Sequence, residues 1–136
     1  MKKIFIAISI ILMVLAIGIC NNSPTVKLFE NVDTESVDKI SIAYIGGIFS
    51  TEDKSQISEI MNYLKTLKFS KRSNNSVPNT TPDAVMGLKY KNGGGIGLKI
   101  YGDVARVLPK EEDAYTVEMH IYDDLEGLCK KYKNSK

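Results

Sequence analysis

Met86-Gly87-Leu88-Lys89-Tyr90 and Ile96-Gly97-Leu98-Lys99-Ile100 are two alternating apolar and polar runs, joined by Lys91-Asn92-Gly93-Gly94-Gly95. A side-chain period of two places Met86, Leu88 and Tyr90 on one face of a strand, and Ile96, Leu98 and Ile100 on one face of the next. Asn92-Gly93 between them is a tight-hairpin dipeptide, since such turns need positive φ. The stretch therefore predicts two adjacent antiparallel strands with one buried face. Its glycines do not make a phosphate loop: the third residue after Gly95 is Leu98, so G-x-G-x-x-G is absent, and no Gly-Lys-Ser/Thr follows. A phosphate loop also opens a helix, whereas this run opens a strand.

Working outward from the hairpin, Ile40, Ile42 and Tyr44 alternate with Ser41 and Ala43 and predict a half-buried strand ending near Gly46-Gly47. Ser50 or Thr51 then offers an N-cap, with Glu52 and Asp53 in the first turn. Ile57, Ile60, Met61, Leu64 and Leu67 follow at helical spacing, which predicts a helix over Glu52 to Leu67. Downstream of the hairpin, Val104 to Leu108 reads as a strand, Pro109 to Asp113 as a charged turn, and Tyr115, Val117 and Met119 as a further alternation. Tyr122 or Asp123 opens a last helix with the stripe Leu125, Leu128, Cys129 and Tyr132, closed by Lys130, Lys131 and Lys133 at the end that the helix dipole favours for cations. The order strand, helix, four strands, helix predicts an α+β fold, with an antiparallel sheet of about five strands and two helices packed on one face.

The beginning of the chain reads differently. Met1-Lys2-Lys3 precedes an uncharged apolar run from Ile4 to Ile19, a pattern of export or membrane retention. Cys20, directly after it, resembles the acylated cysteine of bacterial lipoproteins, although Ile19 stands where that pattern has a small residue. Three fates stay open: lipidation at Cys20, ordinary cleavage after Ala16-Ile17-Gly18, or a retained anchor close to the short limit for crossing a bilayer. All three place the domain outside the cytoplasmic membrane. Residues 1–20 are thus read as signal peptide or anchor, 21–31, which open on Asn-Asn-Ser-Pro, as a tether, and 32–136 as one α+β domain.

Composition narrows the chemistry. The 136 residues are 43% hydrophobic and 25% charged, which excludes collagen, low-complexity disorder and a multi-span membrane protein. Without Lys2 and Lys3 the basic and acidic residues balance, which argues against a nucleic-acid partner. Two cysteines make no disulfide framework, and Cys129 reads as a small buried hydrophobe on its helix. His120 is the only histidine, so a His-rich zinc site cannot be built within one chain, and no metal or cofactor is expected. A Cys129–His120–Asp arrangement would have to arise through folding alone. Glu111, Glu112 and Asp113 read as a solvated turn, where their pKa values would stay ordinary and unsuited to acid–base catalysis.

One charge cluster has a direction: Lys65, Lys68, Lys71 and Arg72 stand at the end of the first helix, on the way into the polar run Ser70 to Asp83. The dipole accounts for cations there, and contact with an anionic envelope surface, lipid headgroups or wall polymer, is the sharper alternative. The run Ser70 to Asp83 reads as a long loop, not needed to connect adjacent elements and so with freedom to carry a partner-specific surface, or as a spacer. Lys68, Lys71, Arg72, Val77 and Pro78 are its candidate partner-binding residues.

Met-Lys-Lys and the Ile-rich run to Cys20, Val37-Asp38-Lys39-Ile40-Ser41-Ile42, Ile57-Ser58-Glu59-Ile60-Met61-Asn62-Tyr63-Leu64 and Asp124-Leu125-Glu126-Gly127-Leu128 together resemble the small predicted lipoproteins of unknown function of Gram-positive, clostridia-like bacteria. The resemblance implies location and architecture and transfers no catalytic residue. The expected function is a membrane-tethered, extracytoplasmic, non-catalytic binding or accessory domain, its partner an envelope protein or polymer. An immunity-like inhibitor of a secreted toxin or hydrolase is the alternative, and an enzyme the distant third.

Overall fold

Eight antiparallel strands join in one sheet in the computed structural model, which describes residues 24–118 and 120–134. In chain order they are β1 (Thr25–Val26), β2 (Val37–Tyr44), β3 (Gly47–Thr51), helix α1 (Lys54–Thr66), β4 (Phe69–Lys71), β5 (Ala84–Tyr90), β6 (Gly95–Tyr101), β7 (Val104–Leu108), β8 (Ala114–Thr116) and helix α2 (Ile121–Lys133). The spatial order is β1-β4-β8-β7-β6-β5-β2-β3. The α+β class holds, but the sheet has eight strands rather than about five, and β1, β3 and β4 are additions to the expected order. The apolar N-terminal run, Cys20 and Met119 lie outside the described residues.

The hairpin forms as expected. Met86 pairs with Leu98 and Leu88 with Ile96, and β2 joins the other side of β5 with Ile42 opposite Met86 and Ile40 opposite Leu88. Positive φ falls on Gly93 (87°) and Gly94 (74°), not on Asn92, so the turn bends one residue later than an Asn-Gly turn would. Ile40, Ile42, Met86, Leu98 and Ile100 are fully buried in one cluster with Ile60, Met61 and Leu64 of α1 and Ile121, Leu125 and Cys129 of α2. Phe49 of β3 stacks on Tyr132 of α2 at 5.6 Å. Both helices therefore cover the same face of the sheet.

Two expected boundaries move. Ser50 and Thr51 belong to β3, and the N-cap of α1 is Asp53, whose carboxylate accepts from the Gln56 N–H at 2.9 Å. The Thr51 hydroxyl supports that cap, accepting from the Asp53 N–H at 3.0 Å and donating to the Gln56 amide at 2.7 Å. Within the segment expected as a tether, Thr25–Val26 pairs with β4 and Phe29 is fully buried against Phe69, so the folded unit takes in this stretch from Pro24 onward.

The largest correction concerns Ser70 to Asp83. Phe69–Lys71 is a strand near the far edge of the sheet, with β8, β7 and β6 standing between it and β5. At ~4.8 Å per strand the chain must travel roughly 19 Å to begin β5. Residues 72–83 make that journey on the face opposite the helices: the Arg106 guanidinium donates to the Asn75 carbonyl at 2.7 Å, and Thr81, Pro82 and Asp83 lie beside Ala43 and Val85. The segment is a necessary crossover strap rather than a spare loop.

Leu64→Ala should cost about 2–5 kcal/mol, because Leu64 is fully buried between helix and sheet, whereas Lys65→Ala should stay within about 0.5 kcal/mol. Urea unfolding of both checks the helix face, and equal small losses would overturn it.

Gly97 supplies a second test. A Cβ built there would stand 2.3 Å from the Met86 carbonyl oxygen, whereas at its cross-strand partner Gly87 a Cβ meets nothing within 4 Å. Gly97→Ala should destabilise by about 1–3 kcal/mol and Gly87→Ala should not, as judged from their melting midpoints.

Candidate functional site

The pairing of β4 with β8 sets Ser70 opposite Thr116 and Lys71 opposite Tyr115. The Arg72 N–H donates to the Ala114 carbonyl at 2.9 Å, which carries the ladder one residue further. By alternation, Phe69, Lys71 and Tyr115 face the helix side, while Ser70, Arg72, Ala114 and Thr116 face the open side. Phe69 and Tyr115 meet edge to face at 6.2 Å, in keeping with that assignment.

On the open side Ser70, Arg72, Ser73, Asn74 and Thr116 line a cleft of about 520 Å³, with Lys71 beside it. Pro24, the first described residue, forms its rim. The side chains on this face supply three hydroxyls, one amide and one guanidinium, and no carboxylate, while the Lys71 ammonium turns away to Asp113. The two cations are not equivalent. Lys71 pairs with Asp113 at 2.8 Å, and that bond holds its ammonium above the ordinary lysine range. The Arg72 guanidinium has no ion pair among the described residues, and its Nε is shielded from solvent without a hydrogen-bond acceptor.

Arg106 is a useful comparison, because the ladder places it on the same row as Arg72, with the fully buried Ala114 between them. Its Nε is likewise shielded and unbonded, but its other nitrogens meet the Asn75 carbonyl and, at 3.9 Å, the Glu111 carboxylate. Glu111 also bonds Lys99, and that contact first, then the charges of Lys99 and Arg106, hold its carboxyl below the ordinary range despite its own partial desolvation. Glu111 and Asp113, expected as free in a solvated turn, are thus engaged by Lys99, Arg106 and Lys71.

A second groove, about 420 Å³, runs between the helices and is lined by Glu59, Tyr63, Asp124 and Lys131 among others. Its groups answer one another. The Tyr63 hydroxyl donates to Asp124 at 2.8 Å, and burial first, then that carboxylate, pushes its pKa up. Lys131 donates to Glu59 at 2.6 Å and lowers its pKa. These contacts tie α1 to α2.

Of the residues singled out by sequence, the fold brings Arg72 into the cleft and leaves Lys71 at its edge, with its side chain paired to Asp113. Lys68 is exposed outside it, and Val77, half-buried, and Pro78, exposed, sit further along the strap. Cys20 lies outside the described residues. Sequence reasoning missed Ser70, Ser73, Asn74 and Thr116, and Thr116 carried no local signal because only strand pairing brings it to Ser70. His120 is exposed at the start of α2 and makes no side-chain cap bond. Cys129 is buried in the core, and neither residue lines either cleft. Among the described residues no three His, Cys, Asp or Glu side chains group as a metal site, and no helix is long and apolar enough to cross a membrane.

No protein-family model, curated protein or solved structure matches the chain.

Burial pushes the Cys129 thiol up to about 11, so at pH 8 roughly one part in a thousand is thiolate. Iodoacetamide should leave Cys129 unmodified in the native protein and label it in denaturant, as read by peptide mapping. Rapid native labelling would contradict its placement in the core.

Proposed function

We propose that the chain is a membrane-tethered, extracytoplasmic binding or accessory module with no catalytic role, and that it takes its ligand in the β4–β8 cleft. The N-terminal pattern of two lysines, an apolar run and Cys20 supports the tether. The observation that carries the reading is the position and chemistry of the cleft: a donor-rich concavity without a carboxylate opens beside Pro24, a few residues after the apolar segment ends. A concave site of several hundred Å³ is of ligand-binding size. Arg72, the uncommitted cation, points the module toward an anionic partner, and in the envelope such partners are lipid headgroups and wall polymers. In this reading its groups fix and orient a ligand.

Membrane fractionation tests the tether. Cys20→Ser should move the protein from the membrane fraction to the soluble one while the parent stays membrane-bound, with the parent's mature N-terminus at Cys20. Retention of Cys20→Ser with residues 1–19 still attached would replace lipidation by a retained anchor. A freely soluble parent would sink the tethered reading.

A further inference from the structure

We infer that the β4–β8 cleft binds a phosphodiester, held by Arg72 and the hydroxyls of Ser70 and Thr116. The inference rests on the tethered-module reading for its biological setting, but its argument is the chemistry of the cleft. Charge comes first. Lys71 is answered by Asp113 at 2.8 Å and Arg106 by Glu111, which leaves Arg72 as the cleft's cation without an acidic partner among the described residues. One net positive charge matches the single negative charge of a phosphodiester. A phosphomonoester carries about 1.5–2 negative charges at pH 7 and would be incompletely matched.

Donor geometry narrows the class further. Arg72 lines the cleft and has no ion pair among the described residues, so its guanidinium is the charged donor there that an oxyanion can meet, while its Nε, shielded from solvent, faces protein rather than the cleft. A guanidinium fork binds two oxygens of one anion. A carboxylate would be satisfied by that fork and would leave the cross-strand pair Ser70 and Thr116 unused. A phosphodiester has two ester oxygens besides, within reach of hydroxyls on either side.

The cleft, at about 520 Å³, exceeds what a bare phosphate fills and leaves room for the flanking glycerol or sugar units, against Ser73 and Asn74. Its place beside Pro24 sets the site where the chain leaves its apolar segment. The phosphodiester is therefore one presented near a membrane, in a lipid headgroup or in a polymer anchored there.

The test uses the full chain in neutral-detergent micelles, titrated calorimetrically with soluble poly(glycerol phosphate) in one arm and with phosphatidylglycerol added to the micelles in the other. Binding in the first arm assigns the polymer, in the second the headgroup, and binding in either or both supports the site, provided that it depends on Arg72. Arg72→Gln should weaken it about tenfold or more, the loss expected for a charge-assisted bond. Arg72→Lys, which keeps the charge and loses the fork, should weaken it several-fold. Lys68→Gln, the same charge change outside the cleft, should leave it within twofold. Thr116→Val should weaken it several-fold and stands in if an Arg72 variant fails to keep the parent's melting temperature.

Absence of binding in both arms overturns the inference. Equal losses for Arg72→Gln and Lys68→Gln also overturn it, since they reduce the effect to non-specific charge. The two readings fail separately. A membrane-held chain without Arg72-dependent binding removes the phosphodiester and keeps the tether, whereas a freely soluble chain with Arg72-dependent binding does the reverse.

Discussion

The pairing of β4 with β8 is the constraint that organises the molecule. A three-residue strand placed at the far side of β8 forces the chain to cross the sheet twice, first as α1 on the helix side and then as the strap 72–83 on the open side. What holds so short a strand is its first residue. Phe69 is fully buried, with ring centroids 6.1 Å from Phe29 and 6.2 Å from Tyr115, and so clamps the N-terminal stretch, β4 and β8 to one point. Burying such a ring contributes about 1.5–3 kcal/mol, comparable to what the few ladder bonds of β4 supply in net terms. The two-residue β1 holds to the sheet through the same aromatic contact.

The two faces of the sheet are stabilised differently. The helix face is dry and filled by Ile, Leu, Met and aromatic side chains, where shape and volume decide. The open face carries Lys99, Arg106 and Arg72 along one cross-strand row, with Glu111 supplied from the β7–β8 turn. Lys71 and Asp113 are 54% and 38% exposed, so their pair contributes little to stability. Such pairs decide which cation is already neutralised and which has no ion pair among the described residues.

Much of the architecture was legible because it repeats. Met86 to Ile100 displays period two on both sides of a glycine turn, and Ile57 to Leu64 displays a helical stripe, so β5, β6 and α1 could be read directly. The strands that escaped were those too short to show a period, β1 and β4, or masked by competing chemistry. Ser50 and Thr51 are good N-cap residues and concealed β3, whereas the real cap, Asp53, sits two positions further on. The candidate site was half legible. Charge pointed to Lys71 and Arg72, but charge alone also pointed to Lys68, and local sequence cannot tell which side of a three-residue strand faces solvent. Thr116 and Ser70 become neighbours only through a pairing across most of the domain. The strap was misjudged for the same reason: its composition is that of a dispensable loop, and only the strand order shows that it must span the sheet.

The cleft is assembled from Pro24, the segment 70–74 and Thr116, three pieces widely separated along the chain. Synthesis delivers a chain N-terminus first, so Ser70 and Arg72 emerge well before the strand that completes the cleft. Until β8 arrives, β4 has only β1 beside it, and a two-stranded ribbon of that length has no independent stability. A chain still being made, or one truncated before its last strand, therefore keeps its basic residues yet lacks the concavity that groups them. The concavity is in this sense a property of the finished chain, assembled only once the last strand has been made.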